Sequence, residues 1–185
     1  MWISRARACA RMCVVWLACA PSLARATTMV VMDPSQQAEE SDALIDAVVG
    51  ASVVVQTERM VYTDTELWVR DVLGGSAPER LVVRQAGGEL EGRTVFIDGD
   101  AKLLEGERVA AFVREREGRW YLTALGQSVW HVDARERLEQ DLLSEHLMER
   151  DRTGRVVPAT SSPVAFDTLA DLAEAAQGLR FGGAL

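Results

Sequence analysis

His131 and His146 are the side chains best suited to proton transfer or metal binding near neutral pH, and they stand fifteen positions apart. Neither falls in a His-x-x-x-His or Cys-x-x-Cys frame, and a zinc site wants three or four N or S ligands. Both therefore read as surface or strand residues. Asp98-Gly99-Asp100 offers two carboxylates to Ca²⁺, but nothing beyond them follows EF-hand spacing, and the triplet reads as a turn. Ser52, Ser76, Ser128 and Ser144 lack a Gly-x-Ser-x-Gly elbow. A Ser-His-acid triad assembles in space rather than in sequence and stays open as a minor alternative. With 28 acidic side chains, chance carboxylate pairs are inevitable and carry no signal for glycoside hydrolysis. Gly74-Gly75 and Gly87-Gly88 lack phosphate-loop context and read as turns. These residues lead to no catalytic group, no metal ligand and no cofactor site.

Two other sets could bind rather than react. Tyr62, Trp68, Tyr121 and Trp130, with Trp120, form either an aromatic ligand platform of the sort OB-folds present or part of the core. Arg114, Glu115, Arg116, Glu117 and Arg119 alternate in sign. The simple expectation is cross-strand ion pairs on a solvated face, each contributing ~0.2–1 kcal/mol. A binding ridge is the alternative.

The elements that would position these side chains read mostly as strands. Asp33-Pro34-Ser35-Gln36-Gln37 looks like a linker, and Ser41 with Asp42 can cap a short helix through Val48, with Leu44, Ile45 and Val48 on one face. From Ala51 to Val132 the pattern has period two, with frequent turn signals. Val61, Thr63, Thr65, Leu67 and Val69 alternate with Tyr62, Asp64, Glu66, Trp68 and Arg70, which predicts a long half-buried strand. Arg80 to Gln85 and Thr94 to Ile97 are further strands. Arg108 to Arg116 and Arg119 to Leu125, joined by Glu117-Gly118, form a hairpin. Gln127 to Val132 is a short strand carrying Trp130. Residues 134 to 150 fit a helix or a hairpin around Thr153-Gly154, with the hairpin preferred. Asp167 or Thr168 caps a helix from Leu169 to about Leu179, before a frayed Gly182-Gly183 tail.

The 185 residues suit one domain, and 48% hydrophobic content argues against a disordered chain. The first 26 residues carry Arg5, Arg7 and Arg11, an apolar run from Met12 to Ala20, and Ala24-Arg25-Ala26. This is the layout of a secretory signal, and the run is too short to span a membrane. Cleavage after Ala26 would take four of the 20 basic residues, leaving 16 against 28 acidic ones, a net charge of −12. It would also remove Cys9, Cys13 and Cys19, so the exported domain would hold together without a disulfide. Leu17-Ala18-Cys19 is the competing reading, a lipid anchor at Cys19. An acidic balance disfavours a general nucleic-acid binder.

Val61-Tyr62-Thr63-Asp64-Thr65-Glu66-Leu67, Val72-Leu73 before Gly75, Val82-Val83-Arg84-Gln85 and Gly87-Gly88 resemble an uncharacterised family of exported bacterial proteins. Gly106-Glu107-Arg108-Val109 with Phe112, then Gly126-Gln127, continue the resemblance over residues 44 to 132. Gly74 departs from a common Lys, and Ser128-Val129-Trp130 from a common Gly-Lys-Phe. By its order of elements the chain is also similar to the OB-like barrel of netrin-type and metalloproteinase-inhibitor domains. Those inhibitors place an N-terminal cysteine on a catalytic zinc, whereas a chain cut after Ala26 would begin with Thr27.

The expected fold is mainly β: a small OB-like barrel of five or six strands with a short N-terminal and a C-terminal helix. The expected parts are a signal peptide (1–26), a linker (27–40), the barrel (41–132), a hairpin or helix extension (133–163) and the last helix (164–181). The expected role is an exported, periplasmic or extracellular, non-enzymatic binding or envelope-associated module. Its partner would be another exported or envelope protein, with no nucleic acid and no membrane span. A modulator or inhibitor of an exported peptidase, or a small secreted hydrolase, is the alternative.

Overall fold

Alternation decides the main strands. The computed structural model describes residues 29–58, 60–95, 97–140, 147–150, 153–159 and 165–182. The expected signal segment with Cys19, and Ser144 and His146, lie outside them. The described chain is mainly β, as expected. Its strands are β1 (Met29–Val30), β2 (Ala43–Gln56), β3 (Val61–Gly75), β4 (Arg80–Ala86), β5 (Gly88–Leu90) and β6 (Arg93–Val95). They continue with β7 (Arg108–Arg116), β8 (Arg119–Leu122), β9 (Val129–Val132), β10 (Leu138–Glu139), β11 (Leu147–Arg150) and β12 (Val156–Pro158). Two helices, α1 (Pro34–Glu39) and α2 (Leu169–Gln177), complete the set.

β2 pairs with β3 on one side and β7 on the other, β3 pairs with β4, and β7 turns into β8. β8 then meets β4 through one parallel pair, Val83↔Trp120. Five strands thus form a circuit of pairings in the order β2-β3-β4-β8-β7, with the β4–β8 seam its narrowest join. β9 and β10 extend the sheet beyond β7. Three register shifts along β2 bend that strand enough to serve two neighbours.

β7 explains why there are two cores. Val109, Ala111 and Val113 point inside the circuit, against Ile45, Leu67 and Val83. Ala110 and Phe112 point outward, into a second cluster with Leu44, Trp130, Leu172 and Ala38. That outer layer is roofed by α1 and α2, whose Leu169, Leu172 and Ala176 form the buried stripe of a short amphipathic helix. Thr168 closes the N-terminus of α2 in a reciprocal capping box with Asp171. The tail is not frayed as far as Gly182, whose N–H donates to the Ala38 carbonyl at 3.3 Å. Phe181 lies over Gly74, a position where a side chain would collide with its ring.

Two expectations need correction. The helix expected from Ser41 to Val48 is the first half of β2. Both faces of this stretch are largely buried, so Leu44, Ile45 and Val48 imitate helical spacing while Ala43, Ile45, Ala47 and Val49 occupy the inner face. Ser41 does not cap it; its hydroxyl donates to the Gln37 carbonyl and forms a second hydrogen bond with Thr123 Oγ1, both at 2.6 Å. The helix lies instead in the supposed linker. Asp33 accepts from the Ser35 and Gln36 amides, Gln36 Oε1 accepts from the Asp33 amide, and Pro34 opens the first turn. Farther on, β11 and β12 pair antiparallel around Thr153-Gly154, the hairpin alternative, and β1 joins β11 in parallel. Residues 141–146 lie outside the described set.

Candidate functional site

On β3 the residues opposite in phase to Thr65 and Leu67 are Tyr62, Asp64, Glu66 and Trp68, so they face away from the inner core. Antiparallel register places Arg84 opposite Asp64, Val82 opposite Glu66 and Arg80 opposite Trp68. β7 and β8 are joined by Glu117 and Gly118, both at positive φ (54° and 74°), which gives the hairpin the tight turn that matches strand twist. The turn sets Tyr121 opposite Arg114 and Arg119 opposite Arg116 on the outer side of the same layer. Among the described residues no helix covers this side; α1 and α2 roof the opposite part of the outer surface.

Cross-strand chemistry then locks the face. Arg84 holds Asp64 through two hydrogen bonds, from Nε at 2.6 Å and Nη2 at 2.5 Å. This bidentate contact holds the Asp64 carboxyl below its usual pKa. The same guanidinium sits 5.1 Å from the Tyr62 ring centroid. Arg80 pairs with Glu66 and lies 4.8 Å over the Trp68 ring. Trp68 remains 49% exposed although it is held. Its indole Nε1 occupies the space beside Gly50, where an added Cβ would come within 2.8 Å. Gly50 falls in the register shift between Val49 and Ser52, so the bulge of β2 makes the seat for the ring.

The arginine-rich hairpin behaves differently from the expectation of cross-strand ion pairs. Register sets Arg116 directly opposite Arg119, a like-charge pair. Arg114 reaches Glu40 of the segment after α1 at 3.6 Å rather than a hairpin acid. Burial, and then the neighbouring Arg116 charge, lower the Arg114 pKa. Glu115 is engaged through its backbone N–H, which donates to Asp42 Oδ2 at 2.6 Å. A groove of about 500 Å³ opens between β4 and the hairpin, lined by Asp64, Arg80, Val82, Arg84, Arg119 and Trp120 among others.

Of the aromatic platform expected from sequence, the structure brings Tyr62, Trp68 and Tyr121 to this one face. Trp130 does not belong to it: it is 3% exposed, its ring 5.9 Å from Phe112 and 6.1 Å from Phe166 in edge-on contacts beneath α2. Trp120 points to the inner side and packs against the circuit's core. The partners that sequence reasoning passed over are Arg80, Arg84 and Gly50. The register of β3 against β4, which pairs Asp64 with Arg84 and Trp68 with Arg80, is the signal that identifies the arginines.

His131 lies elsewhere, with Nδ1 3.3 Å from Glu107 Oε2, in a cleft of about 540 Å³ lined also by Arg70, Arg108, Asp133 and Glu139. Arg108 there forms a fork with buried Asp46 at 2.8 Å on both oxygens, which drives its pKa further up. Among the described residues no serine lines this cleft. Ser128 is buried and its hydroxyl accepts the Ala124 N–H. Asp98-Gly99-Asp100 is the expected turn, with the Asp100 N–H donating to the Ile97 carbonyl at 3.1 Å. Burial raises the Asp100 pKa. Among the described residues no three His, Cys, Asp or Glu side chains gather as metal ligands, and no helix is long and apolar enough to cross a membrane. No protein-family model matches the chain, and neither a curated protein nor a solved structure matches it significantly.

Proposed function

We propose that this chain is an exported, non-enzymatic binding module, OB-like in its circuit of strands, that presents the outer β3–β4–β8 face to another exported or envelope protein. The observation that carries the reading is Trp68: a large aromatic, half exposed, yet fixed from two sides by Arg80 and by the seat at Gly50. Trp, Tyr and Arg are the residue types that dominate interface hot spots, and immobilised ones lose little entropy on binding. The resemblance to exported bacterial proteins covers the same strands, and the basic leader with its small-residue cleavage pattern supports export.

Affinity capture from the native envelope fraction tests this reading. The wild-type domain retains a discrete partner at physiological salt, and Trp68→Ala loses it while melting at an unchanged temperature. Equal capture by both proteins refutes the assignment of the face. A small hydrolase is the second reading, favoured by the cleft in which His131 meets Glu107. Turnover of a generic ester or glycoside panel that disappears in His131→Ala would support it instead.

A further inference from the structure

We propose that the far half of β2 is a docking edge for a second copy of this chain, the two strands pairing antiparallel about Val54; this goes beyond the binding-face reading and does not rest on it. β7 accompanies β2 only from Ala43 to Val48. Val49 makes the last two bonds on that side: its N–H donates to the Glu107 carbonyl and its carbonyl accepts from the Gly106 N–H, both at 2.8 Å. Beyond the register shift, Ser52 to Gln56 pairs with β3 alone. Among the described residues no other hydrogen bond reaches the main chain of 52–56. β5 does not lie along this edge: Gly88 stands against the side chains of Val54 and Thr63, a cross-strand pair, and so over the inner face. Phase identifies the free groups. The Thr57 N–H donates to the Met60 carbonyl on the β3 side. Alternation then turns the main chain of Val55 and Val53 toward β3 and leaves the N–H and C=O of Gln56, Val54 and Ser52 pointing away. Ser52, Val53 and Gln56 are exposed, Val53 at 61%. An unpaired strand edge of this kind is a template for another strand.

Self-complementarity and charge name the occupant. From Ala47 to Thr57 no residue is charged, and neither lysine nor proline guards the edge. The chain as a whole carries −8, so two copies repel over most of their surface and meet at least cost along an uncharged stretch. A charged strand from another protein would find no counter-charge here. A two-fold axis through Val54 sets its N–H and C=O against those of its own copy, Ser52 opposite Gln56 and Val53 opposite Val55. Each match is like with like: hydroxyl with side-chain amide on the inner side, valine with valine on the outer. The same axis carries the turn that holds exposed Met60 toward the loop that holds exposed Leu104 of the second copy. An isologous contact of this kind closes on itself as a dimer. Strand addition leaves the outer face with Trp68 uncovered and joins two such faces in one sheet.

Sedimentation and amide hydrogen exchange of the full chain over a concentration series test this. The expected result is a monomer–dimer equilibrium. The amides of Ser52, Val54 and Gln56 exchange fast in dilute protein and slow by ~10-fold or more as the dimer fills, while those of Val53 and Val55 stay protected throughout. Gln56→Pro removes an N–H that the monomer does not use, a change that strand edges tolerate. It should weaken the dimer by ~10-fold or more with an unchanged circular dichroism spectrum. Val53→Lys, at an exposed position, should weaken it likewise by setting a charge opposite Val55, and covers the case in which proline disturbs β2. Trp68→Ala should dimerise as the wild type does. A monomer at every concentration up to the solubility limit would overturn the proposal. So would a dimer whose amides at 52, 54 and 56 exchange unchanged, one that survives both edge variants, or one lost in Trp68→Ala.

Discussion

At the residue scale, two tryptophans of one sheet have opposite duties. Trp130 fills the layer beneath α2 at 3% exposure, and Trp68 stands at 49% on the open face. Trp130→Ala should cost ~3–5 kcal/mol, as truncation of a buried aromatic leaves a cavity that the neighbours only partly fill. Trp68→Ala should cost under ~1 kcal/mol of stability and yet ~2 kcal/mol or more of partner affinity. Urea denaturation of both variants, followed by calorimetric titration of the captured partner, separates the two effects; a Trp68→Ala loss as large as that of Trp130→Ala would place Trp68 in the core. Gly50 is the subtler case. Gly50→Val pushes the indole off its seat, so it should weaken partner binding and shift Trp68 fluorescence with the fold intact. Unchanged binding in that variant would show that the position of the ring is irrelevant.

The element scale shows what sequence can and cannot convey. Period-two alternation in β3, β4 and β7 assigned each side chain to a face, and the Glu117-Gly118 turn assigned the hairpin. Alternation does not tell which outer face a helix covers. Trp68 and Trp130 therefore looked equivalent until α2 was seen to roof Trp130. β2 failed for a related reason: burial on both faces erases the alternation, and its remaining apolar spacing fits a helix. The α1 helix was legible, since Asp33-Pro34 with Gln36 is a capping box with proline in the first turn. Its six residues carried too little apolar periodicity to compete with a linker reading. Two predictions belong here. Thr168→Ala should cost ~0.5–2 kcal/mol, because it removes an acceptor for the Asp171 amide and half of the α2 capping box. Glu117→Asn should raise stability by a few tenths of a kcal/mol, because Asn tolerates the positive φ of this turn better than Glu. Thermal melting reads both, and no change in the Thr168→Ala midpoint would mean the cap is redundant.

Across the whole molecule the charges set the pH response. Asp33 is lowered by hydrogen bonding from Ser35, Asp64 by its bonds to Arg84, and Asp133 by the Arg137 amide, each from an ordinary value of 3.8. A carboxylate with a depressed folded pKa contributes stability above its unfolded value and loses it as pH falls through the folded one. Asp100, raised by burial, has the opposite sign: folding improves as pH falls through its raised value toward 3.8. The three depressed groups outnumber it, so stability should decline below about pH 4, and less steeply in Asp64→Asn. Asp100→Asn should raise stability at neutral pH by relieving a buried charge. Denaturant midpoints across pH 2.5 to 7 check both, and a wild-type curve that rises on acidification would contradict the assignment.

The distribution of surface chemistry carries the central claim: one outer side is closed by α1, α2 and the tail, and the other holds fixed aromatics beside arginines. Site-specific photo-cross-linking in the native envelope tests it most directly, with the probe placed at Val82 on the β4 face or at exposed Glu174 on α2. Adducts to one discrete protein from position 82, weakened by Trp68→Ala and absent from position 174, are the predicted result. Adducts from position 174 alone, or equal labelling from both positions, would contradict it.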